Sequence, residues 1–149
     1  MKSKKILISA CLAGVQCRYD GRDKFSKKVL EILRQGEAII ICPELLVGFK
    51  IPRSSCNIIG GTGKDVLNGN ARIVGKDGLD YTDMFVSGAK KALKIALENN
   101  VKKAYLRDKS PSCGVGRLYN DNGEGFKKAN GIFAQLLVEN GIKIIRVED

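Results

Sequence analysis

The 149-residue sequence predicts an α/β fold, a single Rossmann-like, three-layer domain over residues 1–149 with a mostly parallel sheet. Short apolar runs of strand length alternate with longer segments of helical period, and glycines concentrate in the connections. Three of the short runs are each followed closely by a cysteine. A chain of this size is one ordinary domain in which folding buries roughly two-thirds of the surface the unfolded chain exposes. No metal is needed to make it fold.

Lys4 to Ser9 reads as the first strand, and Cys11 to Lys24, with Gly14 and Gly21, as a loop. Ser26 offers an N-cap to a helix through about Arg34 that Gly36 ends. Ala38 to Ile41 is almost uniformly apolar, the pattern of a strand buried on both faces, and Cys42-Pro43-Glu44 follows it. From Leu45 to Asn70 the periodicity fails, with Pro52, Gly60, Gly61, Gly63 and Gly69 spread through a long loop of functional or disordered type.

Asn70 to Val74 is a short strand, with a turn at Asp77-Gly78. Thr82 caps a helix to about Asn100, whose apolar positions Phe85, Ala89, Ala92, Leu93, Ala96 and Leu97 follow helical spacing. Lys102 to Arg107 is another strand, and Asp108 to Gly125 a loop. Phe126 to Asn140 fits a helix with Ile132, Phe133, Leu136 and Leu137 inward and Gly141 as its stop; Ile142 to Val147 closes the domain as a strand. This alternation implies right-handed crossovers covering both faces of the sheet.

Composition narrows the chemistry. No stretch approaches the roughly 20 apolar residues of a membrane span, and Met1 to Lys5 leads into only a few apolar positions, so a cytoplasmic protein with no membrane partner is expected. Five cysteines cannot all pair within one chain, and a reducing compartment favours thiolate chemistry or metal ligation. The chain has no histidine, which removes serine–histidine and cysteine–histidine catalysis and the usual histidine-containing zinc sets. The formal charge of +10 suits anionic substrates or nucleic acid. Its lysine pairs, Lys27-Lys28, Lys90-Lys91, Lys102-Lys103 and Lys127-Lys128, are dispersed with no basic arm or basic-aromatic platform, the pattern of a solvated surface. A nucleic-acid partner therefore lacks a clear motif.

Cys11, Cys42 and Cys113 stand just beyond Ile6-Leu7-Ile8, Ala38 to Ile41 and Ala104-Tyr105-Leu106. As neighbouring parallel strands, these runs would deliver all three thiols to the carboxyl edge of one sheet, where open α/β folds bind their ligands. A single such cysteine is ordinarily packing, but three together point to a metal. Three thiolates on a four-iron cluster leave one iron open; zinc held by three cysteines and a water is the competing chemistry.

Two other motifs fail on spacing. Cys11 and Arg18 have six intervening residues where a tyrosine-phosphatase loop has five. Gly60 to Lys64 lacks the first glycine of a Walker A loop, with Ile58 in its place, and Asp65 replaces the magnesium-binding hydroxyl. That segment reads as a mobile turn.

Ile8-Ser9-Ala10-Cys11-Leu12-Ala13-Gly14, Arg18-Tyr19-Asp20-Gly21, Cys42-Pro43-Glu44 and Lys109-Ser110-Pro111-Ser112-Cys113-Gly114 together resemble the thiouracil desulfurase family, and Gly75 to Ala89 resembles it too. The motifs occur in the family's order over nearly the whole chain. The resemblance implies cluster-dependent, non-redox removal of sulfur from a small-molecule thiobase such as 2-thiouracil, releasing sulfide. It also implies a [4Fe-4S] cluster on Cys11, Cys42 and Cys113 whose fourth iron accepts the substrate's sulfur. Glu44 matches the family's acid–base carboxylate and Ser110 a hydroxyl near the reacting carbon.

Each residue also has a plainer reading. Glu44 suits a helix start, and Ser110 a turn before Pro111, with Ser112 competing for its role. Arg18 and Arg53 beside turns are commonly structural and stay unassigned, as do the substrate-binding residues. Cys17 and Cys56 read as spare thiols, and either would close the open iron if it became a fourth ligand. Outside desulfuration, the sequence admits a cluster- or zinc-containing binding or sensor module, or a zinc hydrolase.

Overall fold

A computed structural model describes residues 5–9, 31, 34, 38–48, 55–107 and 109–147. Four short apolar runs form the central sheet: β1 (Ile6–Ser9), β2 (Ala38–Ile41), β5 (Lys103–Leu106) and β8 (Lys143–Arg146). Their order is β2-β1-β5-β8 and every pairing is parallel, with Ile6 opposite both Ala38 and Lys103, and Lys103 opposite Lys143. The α/β class with a mostly parallel sheet is therefore observed. Glu31 and Arg34 are helical, and the rest of the expected first helix lies outside the described residues.

Position in the sheet decides burial. The inner strands hide Leu7, Ile8, Ala104 and Leu106 completely. β2 is an edge strand and its Ile40 is exposed, so its uniform apolar run does not mean burial on both faces.

The segment expected to be a long loop instead carries three elements: a 3-10 turn at Leu45–Val47, β3 (Cys56–Ile59) and the short helix α1 (Gly63–Leu67). β3 pairs antiparallel with β4 (Arg72–Gly75), burying Cys56 and Ile58, the latter opposite Ile73. Gly60 to Lys64 leads into a capping box, correcting its reading as a mobile turn. The Thr62 hydroxyl accepts from the Asp65 amide at 3.3 Å while the Asp65 carboxylate accepts from the Thr62 amide at 2.8 Å. Those bonds, led by the Thr62 amide, hold the Asp65 carboxyl below the usual carboxylate range.

Helix α2 (Thr82–Glu98) buries Phe85, Ala89, Ala92 and Ala96. Leu97 falls off this stripe and is exposed, contrary to expectation. Thr82 does not cap: Tyr81 is the N-cap, and the Thr82 hydroxyl accepts from the Ile73 amide at 2.8 Å, tying α2 to β4.

The last helix is shorter than its apolar pattern predicts. α3 spans Ile132–Glu139, whereas Phe126 belongs to a hairpin of β6 (Leu118–Tyr119) and β7 (Phe126–Lys127). The extended Gly131, the N-cap of α3, separates the two, while Gly125 in the left-handed region turns the chain into β7. Lys127 anchors the hairpin, donating to the Ile58 carbonyl at 2.9 Å and to Asp121 at 2.8 Å. α3 packs on α2 and β8, and the fully buried Phe85 and Phe133 each contribute about 1.5–3 kcal/mol through removal from water.

An exposed pair beside β4 gives the fold an acid-sensitive element. Arg72 Nε donates to Asp80 at 2.8 Å and the Thr82 amide donates to the same carboxylate at 2.8 Å. Arg72 first, then Thr82, lowers the Asp80 carboxyl to about 2. A carboxyl depressed by folding stabilises fully above its unfolded value, so this contribution is complete above about pH 4 and lost as pH falls through about 2. Asp80→Asn should flatten that limb of an acid-unfolding curve; an unaltered limb would remove the pair from the account.

Candidate functional site

The parallel order sets the carboxyl ends of β2, β1 and β5 side by side, with β1 in the middle. Cys42 directly follows β2, and Cys113 lies in the loop after β5. Cys11 comes two residues after β1 in sequence and lies outside the described residues, as do Cys17, Arg18 and Arg53. Among the described residues no three candidate metal ligands gather.

The Cys42-Pro43-Glu44 turn is set by its own backbone and by α2. The Cys42 carbonyl accepts from the Leu46 amide and the Glu44 carbonyl from the Val47 amide, both at 3.3 Å, starting the 3-10 turn. Glu44 therefore does precede a helical turn, as its plainer reading holds, yet it is only 5% exposed. Gly88 of α2 lets the turn approach: a Cβ there would lie 2.3 Å from the Pro43 carbonyl oxygen.

The Ser110 to Cys113 loop is held more tightly. Lys109 takes a left-handed conformation with φ 69°, which costs about 1–2 kcal/mol for a side-chain-bearing residue, and its amide donates to the Arg117 carbonyl at 2.9 Å. Ser110 Oγ then accepts from the amides of Ser112 and Cys113, each at 3.2 Å. At the start of α3, the Ile132 amide donates to the Pro111 carbonyl at 2.8 Å and the Phe133 amide to that of Ser112 at 2.9 Å. Two amides that a helix N-terminus leaves without intrahelical partners thus clamp the cysteine loop.

Gly131 permits that clamp, because a Cβ there would stand 2.5 Å from the Ser112 carbonyl oxygen and 2.7 Å from those of Pro111 and Ser110. All three obstacles are backbone. Gly131→Ala should lower unfolding stability by about 1–3 kcal/mol. A denaturant midpoint equal to that of the parent would contradict the close packing. Sequence reasoning gave neither glycine a supporting role: Gly88 entered only as part of the Gly75 to Ala89 segment, and the Asn130-Gly131 turn signal that could have found Gly131 was passed over inside the expected helix.

The thiols differ in surroundings. Cys42 is half-buried, Cys56 and Cys113 are buried, and none of the three is in a disulfide. Cys56 packs in the hydrophobic core on β3 and does not join Cys42 and Cys113 in a three-ligand set. Ser110 is buried beside Cys113, and Ser112 is completely buried with its hydroxyl lacking any hydrogen-bond partner among the described residues.

Among the described residues, basic and aromatic side chains meet on the β6–β7 hairpin, which the dispersed lysine pairs did not reveal. Tyr119 and Phe126 face each other across the β6–β7 hairpin with ring centroids 5.2 Å apart. Lys109 Nζ and the Arg117 guanidinium stand 5.2 and 5.0 Å from the Phe126 ring centre, at cation–π distance. This face adjoins the cysteine loop through Lys109. A separate groove between α1 and α2, lined by Val66, Arg72, Asp83, Lys90 and Lys91, holds none of the expected site residues. Among the described residues no helix is long and apolar enough to cross a membrane.

Known proteins share this arrangement of chain. A solved structure of the [4Fe-4S]-dependent thiouracil desulfidase TudS superposes with a TM-score of 0.82 at 35% identity, over 97% of this chain and 91% of that one. The uncharacterized protein YbbK of Bacillus subtilis (strain 168) is 45% identical over 141 residues, 94% of this chain and 93% of its own. The 2-thiouracil desulfurase family model matches residues 6–149, from the first strand through the last. The chain belongs to the 2-thiouracil desulfurase family.

Proposed function

We propose that this protein is a [4Fe-4S]-dependent desulfurase that converts a thiolated nucleobase such as 2-thiouracil, with water, into the oxo base and sulfide, without net oxidation or reduction. The observation that carries this reading is that Cys42, with buried Glu44 two residues on, and Cys113, with buried Ser110 three residues before it, lie in the segments that follow the two strands flanking β1. The donor chemistry fits the group. Reduced cysteines without histidine favour a thiolate-bound iron–sulfur centre, and an orphaned buried hydroxyl beside Cys113 suits a nearby sulfur acceptor. Cys11, Cys42 and Cys113 are the assigned ligands.

When bound, the cluster supplies one iron as a Lewis acid for the thiocarbonyl sulfur. Glu44 takes a proton from the attacking water and later returns it to the departing sulfur. Ser110 can accept through two lone pairs, and the amides of Ser112 and Cys113 fill them, so its one proton is left to donate toward the base. The two loops hold these groups through backbone contacts with α2 and α3, which fixes them without requiring the long side chains to order on binding.

The test is turnover. Anaerobic protein carrying its cluster should release one sulfide per uracil formed from 2-thiouracil. A fully loaded protein that turns over no thiobase would instead favour the binding or sensor class.

A further inference from the structure

Among the described residues, buried hydroxyls are satisfied with one exception. Thr82 accepts from the Ile73 amide, and Ser110 from two amides. Ser112 is 0% exposed and its hydroxyl has no partner among the described residues, although its carbonyl accepts from both Phe133 and Ala134. Folded proteins rarely leave a buried hydroxyl unmatched, because it has surrendered its hydrogen bonds to water; such an orphan usually marks a ligand, ion or water.

The surroundings narrow what the partner is. The loop is packed backbone to backbone against Gly114 and Gly131, where even a methyl group has no room. The next residue in the chain is Cys113, whose side chain is buried as well. Sulfurs of thiolate-bound clusters accept hydrogen bonds, and these bonds raise the reduction potential by stabilising the more negatively charged, reduced state.

We propose that Ser112 donates its hydroxyl hydrogen bond to a sulfur of the bound cluster, either the Cys113 thiolate or an adjoining inorganic sulfide, and so sets the electronic state of the cluster while Ser110 serves the substrate. This inference rests on the cluster reading above. It gives the two serines of the motif separate roles: Ser110 shapes the loop and faces the base, and Ser112 serves the metal centre.

The test compares the parent and Ser112→Ala as reconstituted holoproteins by potentiometric titration with electron paramagnetic resonance, and as apoproteins by thermal melting. The holoprotein variant should show a midpoint potential shifted to more negative values and altered g-values of the reduced cluster. The apoprotein variant should melt at the same temperature as the parent or higher, because alanine removes an unmatched polar group. An unchanged potential and spectrum would overturn the proposal, as would an apoprotein that melts lower, since that would reveal a partner within the protein. If the variant holds no cluster, an undiminished apoprotein melting temperature supports the hydrogen bond to the cluster and a lowered one refutes it. Should the parent itself take up no cluster, the cluster reading falls and takes this inference with it; failure of the variant comparison alone leaves that reading standing.

Discussion

Cys42→Ser and Cys113→Ser, introduced singly, are expected to leave the protein folded and without its cluster. A serine hydroxyl is a harder donor that stays protonated near neutral pH, so each change removes one of three thiolate bonds and leaves two, too few to hold the four-iron unit. The protein itself should survive, because most of its core is built elsewhere: Phe85, Phe133, Leu7, Ala104 and Leu137 are fully buried, although Cys113 belongs to the same buried cluster and its replacement carries a cost of about 1–3 kcal/mol of its own. Cys11→Ser should behave in the same way. Cys56→Ser is the informative control. That thiol lies in the core on β3, so its replacement should keep the iron while lowering stability by about 1–3 kcal/mol, the cost of burying a hydroxyl. Iron and acid-labile sulfide per chain, measured beside an unfolding curve, separate the two outcomes. Full iron content in Cys42→Ser or Cys113→Ser would remove that residue from the ligand set.

Glu44→Ala should give the opposite combination, an intact cluster with sulfide release slowed by about 10²–10⁴-fold, the usual contribution of a positioned acid–base group. Glu44 is buried on a turn that Gly88 and the 3-10 turn also hold. Glu44→Gln keeps the size and much of the hydrogen bonding but cannot carry the proton, and it should be as slow as the alanine variant. Single-turnover sulfide release measures the effect. Parent-like rates in Glu44→Gln would exclude proton transfer by this residue, and slow rates in the alanine variant alone would assign it a packing role.

Much of this was legible in the sequence because the informative signals are local. β1, β2, β5 and β8 are apolar runs whose parallel pairing follows from the alternation with helices, and α2 announces itself through Phe85, Ala89, Ala92 and Ala96. The Cys42–Glu44 and Ser110–Cys113 segments follow their strands, as the spacing predicted. What escaped depends on contacts between distant parts of the chain. β3 has only four residues and gains its stability from pairing with β4, while Thr62 and Asp65 define α1 by side-chain capping among glycines that read as loop. Phe126 matched the helical period of α3 but was captured by Tyr119 across the hairpin. The orphaned hydroxyl of Ser112 has no sequence signature, because only burial distinguishes it from an ordinary turn serine.

Metal analysis of anaerobically purified protein tests the proposed four-iron cluster on three cysteines of this chain. About four iron and about four acid-labile sulfide per chain are expected. Stoichiometric zinc without labile sulfide, or reconstituted protein with neither iron nor sulfide, would contradict the cluster assignment.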